Sequence, residues 1–396
     1  MNTEKIKRFI QGRKGLLPRI EAACGPYRDI IWFHVASYGE FEEARPVIEA
    51  TRERFPDRKI LLTVFSPTVY EPMQHYPKVD WVFYLPLDTP RSVRRFLDAV
   101  RPAKAVFTIT DFWPVLLNAL RRRGVDTYIM SVHLEPDSHH LKWHGFLFRQ
   151  IMRNCYRTVM VQNEETRLLL TQIGVKDVRV TGDPRIDRVL AVAGESWRDP
   201  VVDAWCAGEK VFVAGSTYGV EEKMFADIAR THPEGKILLV PHEPDRSGAP
   251  AMLSQAGVRF ARYTDYALKA PDEALLQAQV LLVDTVGMLS RLYRYGFAAY
   301  VGGGFTEGAP HSVLEPACYG MPVAFGPDYR RDTHCCDLVR LEAGFPVANA
   351  SELEFFYEKS VARASFREAC AALSASYCRS SAGATQAILD IIFDSR

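Results

Sequence analysis

Short continuous apolar runs alternate with helical patterns along most of the chain. Residues 30–36 read IIWFHVA, which is typical of a strand buried on both faces of a parallel sheet, and helical spacing follows over residues 41–54. The same order recurs, with further strands predicted at 59–65, 81–85, 105–109, 127–131, 158–161 and 178–181. Predicted helices between them include 91–100 and 114–123. This alternation predicts an α/β fold with a doubly wound parallel sheet.

The regular pattern fades over residues 183–209, where Pro184, Gly194 and Pro200 predict a linker. A second series follows, with strands predicted at 211–214, 237–240, 279–283, 297–301, 322–325 and 346–348. Residues 385–393 have the apolar spacing of an amphipathic helix. We therefore expect two doubly wound, Rossmann-like domains, 1–190 and 205–380, facing a central cleft. The C-terminal helix, within 381–396, can cross back to the first domain.

Length and composition agree with this division and exclude several classes of protein. A chain of 396 residues is long enough for two domains. Its formal net charge of +1 argues against a general nucleic-acid binder. No stretch of about 18 apolar residues occurs, and the first residues lack the apolar core of a signal peptide. We therefore expect the protein in the cytoplasm. Eight scattered cysteines without a C-x-x-C pair predict reduced, mostly buried thiols.

Basic and apolar residues alternate near the N-terminus. The cations include Arg8, Arg13 and Lys14, and the apolar residues among them include Ile6 and Phe9. This pattern predicts a basic amphipathic helix over about residues 5–20. Such a helix can lie on an anionic membrane surface, reach for an acidic substrate, or simply present a solvated face.

Two carboxylates of the first half are candidates for acid–base chemistry. Glu40 follows the first predicted strand through a short turn that contains Ser37 and Gly39, which are candidates for the acceptor site. Glu40 can take a proton from an attacking hydroxyl. Alternatively it complements the N-terminal dipole of its helix, which should depress its pKa. Asp111, after another strand, is either a helix N-terminal carboxylate or a group that faces an acceptor.

Polar loops follow the predicted strands of the second half. Residues 301–320 read VGGGFTEGAPHSVLEPACYG, where Ser312 opens a predicted helix at 313–319. A strand, a Gly-rich loop and a helix form either an anion site or only a tight turn. Loops and hydroxyls of this kind suit a phosphate and a ribose, and the candidates are Ser216, Thr217, His242, Glu243, Arg246, Thr285, His311, Ser312 and Glu315.

The sequence gives no reason to expect a metal site. It contains no D-x-D pair of the kind that holds a metal against a diphosphate, and no G-x-x-x-x-G-K-[ST] loop. The four histidines His133, His139, His140 and His144 match no zinc spacing. We therefore expect a phosphate leaving group to be stabilised by dipoles and side chains without a metal ion.

Seven motifs in one order resemble those of the Kdo transferases, which move 3-deoxy-D-manno-octulosonic acid (Kdo) from CMP-Kdo to lipid A precursors. They are HVASYGEFEEARPVIE, LPLDTPRSVRRFLDAVRP, TDFWP, VTGDPRIDRV, VAGSTYGVEE, VDTVGMLSRLY and VGGGFTEGAPHSVLEPACYGMPVAFGP. The resemblance runs from about residue 13 to about residue 327. It implies a two-domain glycosyltransferase of the GT-B type, with the acceptor on the first domain and the nucleotide sugar on the second.

The resemblance also assigns roles. It implies that Glu40 is the catalytic base and that Asp111 is the acidic residue before the W-P pair. Donor-site positions around the CMP are Ser216, Thr217, Gly287, His311, Ser312 and Glu315. It further implies an inverting direct displacement without a metal or other cofactor, since CMP-Kdo is a substrate. The implied partners are a phosphorylated lipid A precursor and the anionic cytoplasmic face of the inner membrane, with no nucleic acid.

Three departures from the family pattern stand out. The family's H-N-P-L-E-P is here His311-Ser312-Val313-Leu314-Glu315-Pro316, and its Arg-His pair is here His242-Glu243. The cationic partner of the phosphate is therefore open, with Arg246 as one alternative. The usual hydrophobic N-terminal anchor is missing, which leaves membrane contact to the basic helix or to a trimmed segment.

Two other functions remain alternatives at this stage. One is a UDP-sugar-dependent GT-B transferase or epimerase on the same architecture. The other is a non-enzymatic sensor that binds a sugar nucleotide and releases no CMP when acceptor is added.

Overall fold

The computed structural model describes residues 3–109, 111–142, 145–305 and 308–394. It divides into two compact units, of which unit 1 comprises Met1–Asp187 with Ser381–Arg396 and unit 2 comprises Arg188–Ser380. Each unit holds a seven-stranded sheet whose paired strands are parallel. The prediction of two doubly wound halves is therefore confirmed.

Unit 1 is built around a sheet whose central strands are buried along most of their length, whereas its edge strands, Trp81–Tyr84 and Val178–Val180, are partly exposed. These strands are β1 (Ile30–Val35), β2 (Ile60–Val64), β3 (Trp81–Tyr84), β4 (Pro102–Thr108), β5 (Asp126–Val132), β6 (Thr158–Val161) and β7 (Val178–Val180). Its helices are α1 (Thr3–Gly12), α2 (Leu16–Cys24), α3 (Tyr38–Arg54), α4 (Pro67–Met73), α5 (Pro90–Val100), α6 (Pro114–Arg122), α7 (Phe146–Asn154), α8 (Glu164–Gln172) and the C-terminal α19 (Ala384–Phe393).

Unit 2 repeats the arrangement with shorter outer strands. Its strands are β8 (Val211–Thr217), β9 (Ile237–Pro241), β10 (Phe260–Arg262), β11 (Val280–Leu282), β12 (Gly296–Val301), β13 (Val323–Phe325) and β14 (Gly344–Pro346). Its helices are α10 (Pro200–Cys206), α11 (Gly219–Thr231), α12 (Ala249–Gln255), α13 (Glu273–Leu276), α14 (Leu289–Leu292), α15 (Leu314–Cys318), α16 (Thr333–Arg340), α17 (Ala350–Ala362) and α18 (Ala364–Ser380). The predictions missed β10, an edge strand of three residues, and placed β14 two residues too late.

The strand order fixes where each sheet has its switch point. In unit 1 the order is β3-β2-β1-β4-β5-β6-β7, so the chain reverses its direction of progress between β1 and β4. In unit 2 the order is β10-β11-β9-β8-β12-β13-β14, and the reversal lies between β8 and β12. Loops that leave the carboxyl ends of strands at such a point diverge to opposite faces of the sheet, and the crevice between them binds ligands.

The division between the two units, at Asp187 and Arg188, lies within the predicted linker over residues 183–209, but the segment is not irregular, because α10 and a further helix, α9 (Pro184–Gly194), occupy most of it. The two prolines that suggested irregular chain stand at the first positions of these helices. Proline is favoured there because its fixed φ suits a helix and the missing N–H has no partner to lose. The side chain of Asp199 accepts hydrogen bonds from the N–H groups of Val201 and Val202 and so caps α10.

The basic N-terminal segment forms two helices instead of the single one predicted. The break between α1 and α2 lies at Gly15, whose φ of 61° is a left-handed conformation that glycine adopts without strain. No helix among the described residues is long and apolar enough to cross a membrane. All eight cysteines are unbridged, which confirms the expectation of free thiols.

The C-terminal helix α19 belongs to the core of unit 1. Ile388, Leu389, Ile391 and Ile392 are buried there, and Phe393 packs against Phe55 with ring centroids 4.7 Å apart. At the start of the helix, the N–H groups of Gly383 and Thr385 donate to the carboxylate of Asp187. The segment after unit 2 is therefore held in unit 1 at both its ends.

Candidate active site

The two acidic candidates of unit 1 flank its switch point. Glu40 lies in the first turn of α3, directly after β1, and Asp111 follows β4, the neighbour of β1 in the sheet. The position of Thr110, between β4 and Asp111, is outside the described residues. Because carboxyl ends of parallel strands share one edge, the fold brings the two carboxylates into electrostatic contact.

Glu40 is part of the N-terminal cap of α3. Ser37 is the N-cap residue, and its hydroxyl accepts a hydrogen bond of 3.2 Å from the N–H of Glu40. In return the carboxylate of Glu40 accepts a hydrogen bond of 2.6 Å from the N–H of Ala36. Helix α3 starts at Tyr38, three residues earlier than predicted, so Gly39 lies inside the first turn and not in a loop.

The expectation that the helix dipole depresses the pKa of Glu40 is wrong. The carboxylate of Glu40 is partly buried, and this burial raises its pKa. The hydrogen bonds from the backbone at Ala36 and Ser37 lower the pKa, but their effect is smaller. A carboxylate with a raised pKa is a stronger base than an exposed one.

Asp111 is almost fully buried, with 8% of its surface exposed. One carboxylate oxygen accepts from Trp113 Nε1 at 3.3 Å, and the other lies 3.5 Å from Nε2 of His34 on β1. The N–H groups at the start of α6 donate to Asp88 instead, at 3.0 Å from Val115 and 2.8 Å from Leu116. Asp111 is therefore not the cap of that helix.

The structure adds three charged residues to this region that the sequence did not single out. Glu43, one turn after Glu40 on α3, is 6% exposed and lies 3.8 Å from the guanidinium of Arg185. Arg185 also binds the carboxylate of Asp183 at 2.6 Å. Burial raises the pKa of Glu43 to about 8, although Arg185 opposes the shift. Their signals were the spacing of Glu43 from Glu40 and the motif VTGDPRIDRV around Arg185.

The three N-terminal cations have different environments. Arg13 is taken up by the fold, because its guanidinium donates to the backbone carbonyls of Phe9, Phe65 and Leu85 at 3.1 to 3.3 Å. It also lies 3.7 Å from the ring centroid of Phe9. Arg8 forms an exposed ion pair of 3.3 Å with Glu71, and Lys14 is exposed. Arg8 and Lys14 thus present charge at the surface, whereas Arg13 joins three chain segments.

In unit 2, the three glycines after β12 build a turn and do not offer free N–H groups. Gly302 donates to the carbonyl of Gly215 at 2.8 Å, Gly303 to the carboxylate of Glu221 at 2.8 Å, and Gly304 to the carbonyl of Gly308 at 2.6 Å. A Cβ on Gly302 would lie 2.0 Å from the carbonyl oxygen of Ser216. Of the two alternatives for these three glycines, an anion site or a tight turn, their hydrogen bonds support the turn. Positions 306 and 307 of the loop lie outside the described residues.

The helix after this loop also differs from the prediction. Helix α15 has five residues, and its N-cap is Val313, without a side-chain cap. Ser312 precedes the helix and does not cap it. Glu315 lies in its first turn. A helix of five residues has only a small dipole, so its N-terminus adds little to the binding of an anion.

A stack of three rings stands at the switch point of unit 2. His242 and His311 lie 4.1 Å apart with an interplanar angle of 19°, and Tyr218 packs beside both. The hydroxyl of Tyr218 is 2.9 Å from Nε2 of His311. Burial, and then the neighbouring His242, lowers the pKa of His311 to about 4. Ser216, with a φ of 54°, and the buried Thr217 end the adjacent β8.

The remaining donor candidates spread along the same edge of the sheet. Glu243 and Arg246 pair with each other at 3.2 Å on an exposed turn after β9. Thr285 and Gly287 follow β11, which is two strands from β8. A cavity of about 280 Å³ at the ends of β9 and β11 is lined by Asp245 and Asp284, among others.

A larger cavity lies elsewhere in unit 2. Its volume is about 530 Å³, and its lining includes Lys210 and Tyr295, which precede β8 and β12. It therefore opens at the amino ends of the strands, opposite the polar loops. Within the described ranges, no three His, Cys, Asp or Glu side chains are grouped so that they could hold a metal ion, and His144 is outside those ranges.

Comparison with known proteins gives consistent matches. Residues 7–188 match the family model described as 3-deoxy-D-manno-octulosonic-acid transferase (kdotransferase). The chain is 28% identical over 363 residues to the enzyme of that name from Aquifex aeolicus, with 89% of each chain covered. It is 28% identical over 393 residues to the Bordetella pertussis enzyme, covering 94% of this chain and 89% of that one.

A solved structure supports the fold. The UDP-GlcNAc 2-epimerase from Neisseria meningitidis, bound to UDP-GlcNAc, matches with a TM-score of 0.62 and 12% identity. The match covers 92% of this chain and all of that one, and it shows a shared GT-B type fold. The family model thus matches residues 7–188, most of unit 1, and the chain is similar over most of its length to enzymes named 3-deoxy-D-manno-octulosonic acid transferase, which are glycosyltransferases.

Proposed function

We propose that this protein transfers Kdo from CMP-Kdo to a sugar hydroxyl of a phosphorylated lipid A precursor in lipopolysaccharide inner-core synthesis. The observation that carries the proposal is the carboxylate of Glu40 at the switch point of unit 1, in a chain that is similar over most of its length to Kdo transferases. Its raised pKa suits a general base.

In the proposed reaction, Glu40 removes the proton of the acceptor hydroxyl while the oxygen of that hydroxyl attacks the anomeric carbon of Kdo. The bond from that carbon to the CMP phosphate breaks, and the electron pair leaves with CMP. A single displacement of this kind inverts the anomeric configuration and needs no covalent link between sugar and protein. Catalysis then depends on the base and on groups that stabilise the leaving phosphate.

Unit 2 supplies the groups that we assign to the donor. The rings of His242 and His311 and the hydroxyls of Ser216, Thr217 and Ser312 are placed at or near its switch point. Arg246 is the alternative cationic partner of the phosphate, and Glu315 is the proposed ligand of the ribose hydroxyls. Thr285, Gly287 and Glu243 complete the proposed donor set. We propose that neither a metal nor another cofactor takes part.

The acceptor and the membrane are assigned to unit 1. Arg8 and Lys14 offer surface charge to the phosphates of the lipid and to an anionic membrane. We propose that the protein works at the cytoplasmic face of the inner membrane.

The decisive experiment is the product mass after incubation with CMP-Kdo and a lipid A precursor. The proposal requires a product heavier by one or more Kdo residues, together with released CMP. If CMP-Kdo is bound but no CMP is released, the protein is a sensor. A larger thermal shift with UDP than with CMP, and no Kdo product, would assign it to UDP-sugar chemistry.

A further inference from the structure

A buried histidine faces the carboxylate of Asp111. His34, on β1, has none of its surface exposed, and its Nε2 lies 3.5 Å from one carboxylate oxygen of Asp111. Among the described residues, neither of these two atoms has a conventional hydrogen-bond partner. Two buried polar atoms that face each other without other partners must share a proton or leave both unsatisfied.

The other ring nitrogen of His34 fixes the tautomer. Nδ1 lies 3.0 Å from the backbone carbonyl of Thr63, which can only accept a hydrogen bond. It also lies 2.8 Å from the hydroxyl oxygen of Thr63, which accepts from Trp32 Nε1 at 2.8 Å. Nδ1 therefore carries the hydrogen, and in a neutral ring Nε2 has the lone pair that points at Asp111.

The surroundings favour a neutral pair over an ion pair. Burial, together with the positive charge of Arg13 just after α1, lowers the pKa of His34 to about 3 even though the hydrogen bond to Thr63 opposes the shift. Burial also raises the pKa of Asp111 well above its usual range, and the negative charge of Glu40 on α3 adds to the effect. Trp113 opposes it with a hydrogen bond to the carboxylate.

One further group packs against Asp111 without a charge. The hydroxyl of Tyr156, which follows α7, donates to the backbone carbonyl of Asp111 at 3.2 Å, so it does not pair with the carboxylate. One carboxylate oxygen of Asp111 thus accepts from Trp113, and its backbone carbonyl accepts from Tyr156. Within the part of the chain that the structure describes, the other carboxylate oxygen faces only the lone pair of His34.

We propose that Asp111 is a neutral carboxylic acid that donates its proton to Nε2 of His34, so that Glu40 is the ionised member of the carboxylate pair. His34 is then a positioning residue, because it selects which carboxyl group holds the proton. Two adjacent carboxylates repel each other when both are ionised, and protonating one leaves the other available as a base. The catalytic part of this inference rests on the proposed function of Glu40, whereas the protonation state does not.

Infrared difference spectroscopy tests the protonation state directly in the folded protein near neutral pH. Replacing Asp111→Asn should remove a C=O band of a protonated carboxylic acid. The same change at the exposed Asp57 is the control and should remove no such band. A wild-type minus Asp111→Asn spectrum that shows only lost carboxylate bands would overturn the proposal, whatever reaction the protein catalyses.

Kdo transfer tests the consequence for catalysis. An asparagine amide can donate to Nε2 of His34 as the neutral acid does, so Asp111→Asn should stay within about tenfold of wild-type kcat, whereas folded Asp111→Ala should lose about a hundredfold. Equal, large losses in both variants would mean that a charged Asp111 is needed, against the proposal. If no Kdo is transferred by the wild type, the proposed function fails and the infrared result still stands.

The pH profile separates a positioning role from a structural one. The side-chain oxygen of Gln can accept the proton of Asp111 as His34 does, so His34→Gln should leave the acid limb of the kcat/KM profile at the same pH. His34→Leu, if folded, removes this acceptor and lets Asp111 ionise. The negative charge then raises the pKa of Glu40, and the limb should move to higher pH by about one unit. An unshifted limb in a folded, active His34→Leu protein would contradict the positioning role.

Discussion

Glu40 uses one carboxylate for the fold and, in the proposed reaction, for catalysis. Its hydrogen bond to the N–H of Ala36 closes the start of α3, and the same group is the proposed base at the switch point. A capping carboxylate has a fixed position, which a base needs in order to meet a substrate hydroxyl. The two roles can be separated, because the cap needs only an acceptor oxygen and the base needs a carboxylate.

Glu40→Gln should lower kcat for Kdo transfer by about a hundredfold or more and leave the fold intact. The Gln side-chain oxygen can still accept from Ala36, so the melting temperature should stay close to that of wild type. Glu40→Ala is the matched variant, which should lose the same activity and also about 1 kcal/mol of stability with the cap. Activity assays and thermal melts of the two variants check these expectations. Near-normal turnover in Glu40→Gln would show that Glu40 is not the base.

The buried His34 should make the protein sensitive to acid. The unfolded chain binds a proton at this residue below its ordinary pKa of 6.5, whereas the folded protein does so only near 3. The unfolded state therefore holds more protons in this window, and stability falls as the pH drops through it.

Between pH 7 and pH 4 this effect amounts to about 3 kcal/mol of unfolding free energy. His34→Gln has no imidazole to protonate. Its unfolding free energy should therefore fall by about 3 kcal/mol less than that of wild type between pH 7 and pH 4. Urea unfolding of both proteins at the two pH values measures the difference, and parallel losses would show that His34 is not held neutral.

At the scale of elements, the strands were predictable and several helix ends were not. Runs such as residues 30–36 are apolar because the strand is buried on both faces. Such a run can be recognised without knowing which strands pair with it. The start of α3 was missed by three residues because Ser37 caps it through a side chain, and Pro200 begins a helix where it suggested a linker. Helix ends depend on such individual hydrogen bonds more than on periodicity.

Arg13 joins α1 to two other segments of unit 1, although the sequence pattern assigned it to a basic surface helix. Arg13→Ala should destabilise the protein by about 2 kcal/mol, because three carbonyls lose a charged donor and the rings of Phe9 and Tyr84 lose a cation. Arg8→Ala, which removes only the exposed pair with Glu71, should cost about 0.5 kcal/mol or less. Urea unfolding distinguishes these outcomes; equal effects would mean that Arg13 is not a structural link.

Membrane binding should follow the exposed cations instead. The double change Arg8→Gln with Lys14→Gln should weaken binding to anionic vesicles about thirtyfold at low salt, since each surface cation adds about 1 kcal/mol. The difference should shrink as salt screens the charges. Arg340→Gln, on an exposed residue of α16, is the control. Unchanged vesicle affinity in the double variant would show that these cations face only solvent.

At the scale of the whole molecule, the two-domain plan followed from the sequence, whereas much of the site did not. The alternation of strands and helices predicted both sheets, and the order of the motifs indicated the family. The contact of Glu43 with Arg185 joins residues that are far apart in sequence, and no local pattern carries such a pair. The glycines after β12 had the right spacing for an anion loop, but their N–H groups are used by the turn itself.

The last helix should matter for unit 1 in particular. Ile392→Ala should destabilise the protein by about 3 kcal/mol, because the side chain is fully buried in the core of unit 1 and its loss leaves a cavity. Gln386→Ala, on the exposed face of the same helix, should change stability by less than about 0.5 kcal/mol. Thermal unfolding compares the two, and similar effects would mean that α19 is not part of this core.

The return of α19 to unit 1 also sets the order in which the chain can fold as it leaves the ribosome. Unit 2 is one continuous stretch, so all of its strands are available once residue 380 has emerged. Unit 1 begins to form earlier but has to wait for residues 384–393 to cover its apolar surface. During synthesis, the first unit to start is therefore the last to be completed, and its uncovered face is exposed to chaperones throughout the synthesis of unit 2.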